Sequence, residues 1–400
     1  MCEQQVSDTG TTPSSVGRVA GVRRGVKLAA ACSVGVALAL GAAACSSSSS
    51  SSSAAPQSAP GSSGTASSGT AGSGTATTLN VTGLSSCTVS PVSGEAAAPS
   101  LSGDTITIAN PAPPQLSDVQ QYLMVQILKT WGASSSLVAQ VGDPATTRAV
   151  VSGAATVAAV GAESPINAGL VAFGPMHPKA DYIMVGAKDI KSVSGLHGQS
   201  FGVSNTAGSE ALMLGLVLKA KSMTTSDVKE IVSGTGSVRL AALETGHIDA
   251  TWAHADGYVA LQSSGYTDLA NMATIDPKYS PLMLAAPSSW LSSHNSEAVA
   301  IDRAWIESAR LMQNQTCFTQ AEKAYVPAAL ASTITQTYQI LVKQLNIAPA
   351  SASVYSNALG TYNEQVVASI PGILSKTPAS LSSWFTDSVW QQATAAEGLS

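Results

Sequence analysis

The stretch that decides the fold is residues 198–253, which read GQSFGVSNTAGSEALMLGLVLKAKSMTTSDVKEIVSGTGSVRLAALETGHIDATWA. Runs rich in apolar and β-branched residues at positions 200–204, 228–232 and 248–253 predict three strands. Between them, small turn-forming residues precede two segments with helical spacing of apolar residues, and the second segment ends at Gly246. Because each connection is long enough to hold a helix, we predict a parallel βαβαβ unit with right-handed crossovers.

Three motifs in this stretch resemble a known family. They are LxGQSFGVS at residues 196–204, a Gly-Ser pair at residues 208–209 that opens a helix, and GSVRLAALxxGxIDA at residues 236–250. In this order and spacing they resemble the substrate-binding proteins of ABC importers for aliphatic sulfonates, nitrate, taurine and the thiamine pyrimidine (NMT1/THI5-like). The resemblance covers residues 105–312 and fades over the C-terminal helices.

The resemblance implies a two-lobed α/β fold of the periplasmic-binding-protein type II class. We expect the first lobe at residues 104–190 plus 282–400 and the second at residues 191–281. A strand at residues 182–185 is expected to lead out of the first lobe. Helical periodicity at residues 292–315 and beyond predicts extra C-terminal helices packed on the first lobe.

The first hundred residues carry export signals and little that could form a core. Residues 1–27 hold four basic side chains beyond residue 17, and an uncharged, mostly small and apolar run follows to residue 44. We interpret residues 1–44 as a signal peptide. The Arg23-Arg24 pair is either a twin-arginine signal or ordinary n-region charge.

Cys45 follows the sequence LGAAA, which resembles a bacterial lipobox, so we expect it to carry a lipid. Residues 45–103 then form a lipid-anchored Ser/Gly-rich tether and a transitional segment. The protein is therefore expected to be exported and anchored to the outer face of the cytoplasmic membrane. After processing, Cys87 and Cys317 remain as candidate disulfide partners in an oxidising compartment.

Charge excludes one class of partner. The 400 residues include 19 basic and 24 acidic side chains, a net charge of −5, and no basic run follows the N-terminus. We therefore expect no nucleic acid partner. The expected partners are a small-molecule ligand, an ABC permease with its ATPase and the membrane through the lipid anchor, and the protein itself is expected to be a monomer.

The candidate ligand site lies where the predicted strands end, because α/β sheets bind ligands at that edge. Helix starts there point backbone N–H groups toward the ligand, although the same residues could serve only as helix caps. The candidates on the second lobe are Asn205, Thr206, Gly208, Ser209, Thr235, Gly236, Ser237, His254 and Asp256. Those on the first lobe are Asn110, Glu163 and Ser164.

The charge of these turns bears on the ligand. Glu163, Glu210 and Asp256 would repel an anion, and no Arg or Lys stands in the same turns. This favours a neutral or amine-bearing ligand. Arg239 either reaches the cleft or pairs with Glu244 along its helix, and the pairing is the simpler interpretation.

Enzymatic interpretations find less support. Residues 198–202 match G-x-S-x-G, but a strand follows Ser200 where a hydrolase needs a turn into a helix. The five histidines are scattered without metal-ligand spacing, so we expect no metal and no cofactor. The leading hypothesis is a solute-binding lipoprotein of an ABC importer. The alternatives are a sensory or scaffolding lipoprotein with a degenerate cleft and an enzyme of the related pyrimidine-synthesis group.

Overall fold

The computed structural model of the protein describes residues 76–399. The predicted signal peptide, Cys45 and the serine-rich part of the tether lie outside the described residues. Within residues 76–399, none of the helices combines the length and the apolar character that crossing a bilayer requires.

The strands of the described chain form one two-stranded and two five-stranded sheets. They are β1 (Leu79–Asn80), β2 (Thr88–Val89), β3 (Thr105–Asn110), β4 (Ser134–Ala139), β5 (Val157–Val160), β6 (Val171–His177), β7 (Ile183–Gly186), β8 (Ser200–Val203), β9 (Lys229–Val232), β10 (Ala250–Ala253), β11 (Thr267–Asn271) and β12 (Leu282–Ala286).

The helices between and after the strands cover the two larger sheets. They are α1 (Val119–Thr130), α2 (Gly142–Val151), α3 (Glu163–Ala168), α4 (Ser209–Ala220), α5 (Gly236–Glu244), α6 (Ala255–Ser263), α7 (Met272–Ile275), α8 (Ser288–Ser293), α9 (Asn295–Met312), α10 (Gln315–Tyr325), α11 (Ala331–Tyr338), α12 (Asn357–Ala368) and α13 (Ser388–Ala396).

The first lobe is built on the sheet with the order β4-β3-β5-β12-β6. Strands β4, β3 and β5 are parallel, whereas β12 returns antiparallel to both β5 and β6. Every residue of β5, β6 and β12 is buried, as expected for strands covered on both faces. The chain returns to this sheet at residues 282–286, where the second part of the first lobe was expected to begin.

The second lobe is built on the sheet with the order β11-β7-β10-β8-β9. Strand β8 runs parallel to β9 and β10, which confirms the parallel arrangement predicted for residues 198–253. Strand β7 pairs antiparallel with β10 and β11, with Met184 opposite Trp252. The expected boundary at residue 191 is therefore wrong, because β7 already belongs to the second sheet and the chain crosses between lobes before residue 183.

The C-terminal helices contact both lobes. The long helix α9 packs against α1 and α13, while α11 packs against α6 of the second lobe. These helices therefore pack on the first lobe, as expected, and one of them also contacts the second lobe. Trp305, Tyr338, Trp384 and Trp390 are all buried and serve as core anchors.

Residues 79–103 also belong to the first lobe, although they were expected to be transitional. Val81, Leu84 and Leu101 are buried in the main core, and β1 pairs with β2. A disulfide joins Cys87 to Cys317 in α10, 230 residues away. The ordered part of the chain therefore begins well before residue 104.

A buried ionic network holds the leading segment against the last helix. Arg310 binds Glu95, Glu307 and Glu397 at 2.8–3.1 Å, and Arg303 Nε donates to Glu397 Oε1 at 2.6 Å. The backbone N–H of Ala96 donates to the carbonyl of Ala396 at 2.7 Å. Each carboxylate gains a guanidinium partner, which offsets the cost of burial.

Candidate functional site

A small cavity of about 30 Å³ lies between the two lobes, where strands of both sheets end. Residues of the first lobe form one wall and residues of the second lobe form the other. The lining consists of Asn110, Pro111, Ala112, Gln115, Asp118, Asp143, Tyr182, Ser204, Ser209, Glu210, Thr235, Gly236, Arg239, His254 and Leu282. The cavity is large enough for only one or two water-sized groups.

The turn after β8 brings the lobes together at Ser209, the first residue of α4. The backbone N–H of Ser209 lies 3.1 Å from Asp143 Oδ2 of the first lobe, and the hydroxyl lies 2.7 Å from the same oxygen. Glu163 Oε1 also lies 3.3 Å from the hydroxyl. A carboxylate of the protein therefore occupies the helix start that the sequence assigned to a ligand.

The carboxyl groups of Asp143 and Glu163, both beside Ser209, affect each other's pKa. Burial raises the pKa of Glu163 well above its ordinary value, and the nearby charge of Asp143 raises it further. Burial also raises the pKa of Asp143, which hydrogen bonds from Ser209 partly oppose. Like charges this close cannot both remain ionised, so Glu163 holds a proton and Asp143 accepts the bonds from Ser209.

The lobes also meet at Gly142, which begins α2 with φ of 73°. A side chain there would be strained by that conformation and would place its Cβ 3.3 Å from Asn205 Nδ2 of the second lobe. Glycine therefore permits this close approach.

Arg239 in α5 forms an ion pair with Glu210 in α4, within the second lobe. Its Nη1 lies 2.6 Å from Glu210 Oε1, and both side chains are buried. Nη2 donates to the Trp252 carbonyl at 3.3 Å, and the Ser204 N–H donates to Glu210 Oε2 at 2.6 Å. The predicted pairing with Glu244 is therefore wrong, and Arg239 reaches the cleft as an internally neutralised cation.

His254 forms a second internal ion pair, with Asp181. His254 Nδ1 lies 3.0 Å from Asp181 Oδ1, and its ring packs on Tyr182 with centroids 4.2 Å apart. Burial alone would lower the pKa of His254, but the charge of Asp181 outweighs it and raises the pKa to about 9. Despite burial, the same pairing keeps the pKa of Asp181 low. At neutral pH this is an imidazolium bound to a carboxylate.

Asp118 lies in the same cavity without a cationic partner in direct contact. Its Oδ2 accepts a 3.2 Å hydrogen bond from Asn110 Nδ2, and its Oδ1 accepts one of 3.4 Å from Gln121 Nε2. Burial raises the pKa of Asp118 to about 7, although the positive charge of His254 opposes the rise. Near neutral pH this carboxyl is therefore divided between its protonated and ionised forms.

A larger cavity of about 390 Å³ adjoins the small one and shares Gln115, Gly236, Arg239 and His254 with it. Its walls are mainly apolar, with Pro113, Pro114, Leu116, Leu240, Trp252, Val326, Ala329 and Leu330. Asp256 also lines it, and its Oδ2 accepts a 3.1 Å hydrogen bond from the Leu116 N–H of the first lobe. Asp256 thus connects the lobes as well as lining the cavity.

Seven of the twelve candidate ligand residues line these two cavities. They are Asn110, Ser209, Thr235, Gly236, Ser237, His254 and Asp256. The other five line neither: Glu163 and Ser164 are buried in α3, and Asn205, Thr206 and Gly208 form the turn before α4. Asp143 of the first lobe closes over the start of α4 in this structure, and ligand contact by these five residues stays a prediction.

Sequence reasoning missed the acids that dominate the cleft. Asp118, Asp143 and Asp181 were not candidates, although Asp143 follows β4 at the same sheet edge as the predicted residues. That position was the available signal for Asp143. No comparable signal marks Asp181, which lies in the crossing between lobes and finds its partner 73 residues away.

Ser200 and one cluster of acids each have a structural explanation. Ser200 Oγ donates to Asp249 Oδ2 at 2.6 Å at the start of β8, which agrees with a structural serine. Among residues 76–399, the one group of three acids close enough to hold a metal ion is Glu95, Glu307 and Glu397. Arg310 contacts all three carboxyl groups and Arg303 contacts Glu397, so the group is already paired with two guanidinium ions.

Two α/β lobes that are joined by crossing segments and closed over a polar cleft define a type II periplasmic-binding-protein fold. Residues 120–315 match the family model described as NMT1/THI5 like, which confirms the resemblance predicted from the sequence. No curated protein matches the chain in sequence.

Solved structures share this fold at low sequence identity. The alkanesulfonate-binding protein SsuA from Xanthomonas axonopodis pv. citri, bound to MOPS, is 15% identical with a TM-score of 0.58, covering 71% of this chain and 99% of its own. The nitrate-binding protein NrtA from Synechocystis PCC 6803 is 11% identical with a TM-score of 0.60, covering 75% and 90%. A ligand-binding component of an ABC-type import system from Staphylococcus aureus, with zinc bound, is 13% identical with a TM-score of 0.60, covering 73% and 99%.

Proposed function

We propose that this protein is the solute-binding component of an ABC importer. It captures a small polar organic molecule between its lobes and delivers it to a permease, and it makes or breaks no bond. The observation that carries the proposal is the cleft itself, which both lobes line with polar side chains at the ends of their strands. The solved structures of the same fold include binding proteins for alkanesulfonate and nitrate, which supports the class of function.

Closure of the lobes would provide selectivity. The contacts of Asp143 with Ser209 and of Asp256 with Leu116 join the lobes directly. A ligand between them would add contacts that exist only in the closed form, so binding would shift the protein toward closure. We propose Asn110, Ser209, Thr235, Gly236, Ser237, His254 and Asp256 as residues that contact the ligand.

The location of the protein follows from the same proposal. We infer that the chain is exported and held by a lipid on Cys45 at the outer face of the cytoplasmic membrane. There a monomer would meet the permease, which works with its ATPase. The serine-rich segment after Cys45 would allow the folded lobes to reach the permease.

Native mass spectrometry of the purified mature protein tests the function. We expect a small molecule that leaves on denaturation and that raises the melting temperature when returned to the refolded protein. Ser209→Leu should abolish this stabilisation, because leucine would fill the small cavity, whereas Ser263→Leu on the exposed end of α6 should not. The function is refuted if no molecule copurifies and no small-molecule extract of the cell stabilises the protein.

A further inference from the structure

The charges of the cleft do not cancel. Arg239 is neutralised by Glu210 and His254 by Asp181, so neither cation is left over. Asp118, Asp143 and Asp256 remain without a direct cationic partner, the first two in the small cavity and Asp256 in the large one. An anion entering this cleft would meet unpaired carboxyl groups, whereas a cation would find a partner already in place.

Unsatisfied acceptors surround Asp118. Asn110 Oδ1 and Gln121 Oε1 are buried and accept no hydrogen bond, although the amide nitrogens of both side chains donate to Asp118. Both oxygens of the buried Glu322 are also without a donor. Buried acceptors normally find donors, and Asn110 lines the small cavity, so an N–H group of a ligand there could satisfy its Oδ1.

The two cavities differ in size and chemistry. The small one holds about 30 Å³ and is lined mainly by polar side chains, which suits a compact polar group such as a primary ammonium. The adjoining cavity of about 390 Å³ has mainly apolar walls, including Leu240, Trp252 and Leu330. A pocket of that volume is suited to the hydrocarbon body of a small ligand.

We infer that the cleft binds a primary organic ammonium ion, with its head beside Asp118 in the small cavity and its apolar body in the larger cavity between α5, α6 and residues 326–333. This inference rests on the proposed function and specifies the class of its ligand. The head would donate to the Asp118 carboxylate and to nearby acceptors. Trp252 and Leu240 would contact the body.

Binding should then depend on pH. The groups that face Asp118 are Asn110 and Gln121 on its own lobe, Asp181 in the crossing segment, His254 and Asp256 from the second lobe, and Glu322 and Tyr325 from α10. The pKa of about 7 means that the ionised form, which a cation needs, becomes more populated as pH rises through neutrality. Since apparent affinity scales with the competent fraction, it should increase about tenfold between about pH 6 and pH 8. His254, with a pKa of about 9, stays mostly charged over this interval.

Four small molecules that share a phenyl ring on a two-carbon chain, and differ in the polar group, test the inference. The melting temperature of the refolded, ligand-free protein is measured with millimolar 2-phenylethylammonium, its N-trimethyl derivative, phenylacetate and 2-phenylethanol. We expect only the primary ammonium to stabilise the protein, and more strongly at the higher pH. Asp118→Asn should weaken its binding about ten- to a hundredfold and remove the pH dependence. Asp189→Asn, an exposed site on the second lobe, should change neither.

The outcomes separate this inference from the proposed function. Stabilisation by the anion or the alcohol to the same extent would overturn the ammonium ligand and leave a solute-binding protein. Failure of 2-phenylethylammonium to stabilise the protein, together with a copurified molecule that is neutral or anionic, would also overturn the ammonium ligand and leave a solute-binding protein. Failure of all probes without any copurified molecule would overturn both.

Discussion

The buried pair between Arg239 and Glu210 allows a quantitative test of the second lobe. Arg239→Met keeps most of the side-chain volume but leaves the Glu210 carboxylate without its guanidinium partner, and it removes the donor to the Trp252 carbonyl. Glu210 is about 8% exposed, so water cannot replace the lost contact. Breaking a buried pair in this way costs about 3–5 kcal/mol, a large part of the roughly 5–15 kcal/mol that stabilises a typical domain.

Urea unfolding of the ligand-free protein measures this loss. The double variant Glu210→Gln/Arg239→Met should recover a large part of the stability, because no buried charge then lacks a partner. Arg148→Met, on the exposed face of α2, is the matched control and should be close to wild type. A loss below about 1 kcal/mol for Arg239→Met, or a double variant as unstable as the sum of the single variants, would refute the argument.

Three further predictions follow from other contacts. The pKa of Glu163 is raised in the native state, whereas the unfolded chain releases this proton above the ordinary pKa of 4.5. The free energy of unfolding should therefore fall as pH rises from 4.5 toward the native pKa of Glu163. In pH-dependent melting, Glu163→Gln should reduce this slope; an unchanged slope would contradict the assignment. The mature protein, denatured without reductant, should show no free thiol at Cys87 or Cys317, and replacing both with alanine should cost up to about 5 kcal/mol in urea unfolding for a loop of this length. Cys45→Ala should abolish lipid labelling and membrane partitioning, and globomycin should accumulate a larger precursor; unchanged size and partitioning would exclude the anchor.

The sequence predicted those parts of the fold that depend on local periodicity. Strands β8, β9 and β10 and their parallel order follow from apolar runs separated by helix-length connections. The turns at their ends correctly placed Ser209, Gly236 and His254 at the cleft. These features are local, so a single sequence contains them.

Long-range pairing could not be predicted in the same way. Arg239 was assigned to Glu244 because neighbours along a helix are the default partners, yet the fold brings Glu210 closer. Asp143 meets Ser209 across 66 residues, and no pattern in either segment identifies the other. The apolar sequence of β7 would suit either sheet, so its place beside β10 depends on the tertiary fold.

The hydrogen bond between Ala96 and Ala396 has a consequence for engineering the chain. Ends of folded chains usually fray, but here positions 300 residues apart share a backbone hydrogen bond and the ionic network of Arg310. A reporter domain or a pair of fluorophores inserted at the exposed turn near Gly265 of the second lobe would leave this contact intact. The insertion would lie on one lobe of the cleft, so closure over a ligand would become an optical signal.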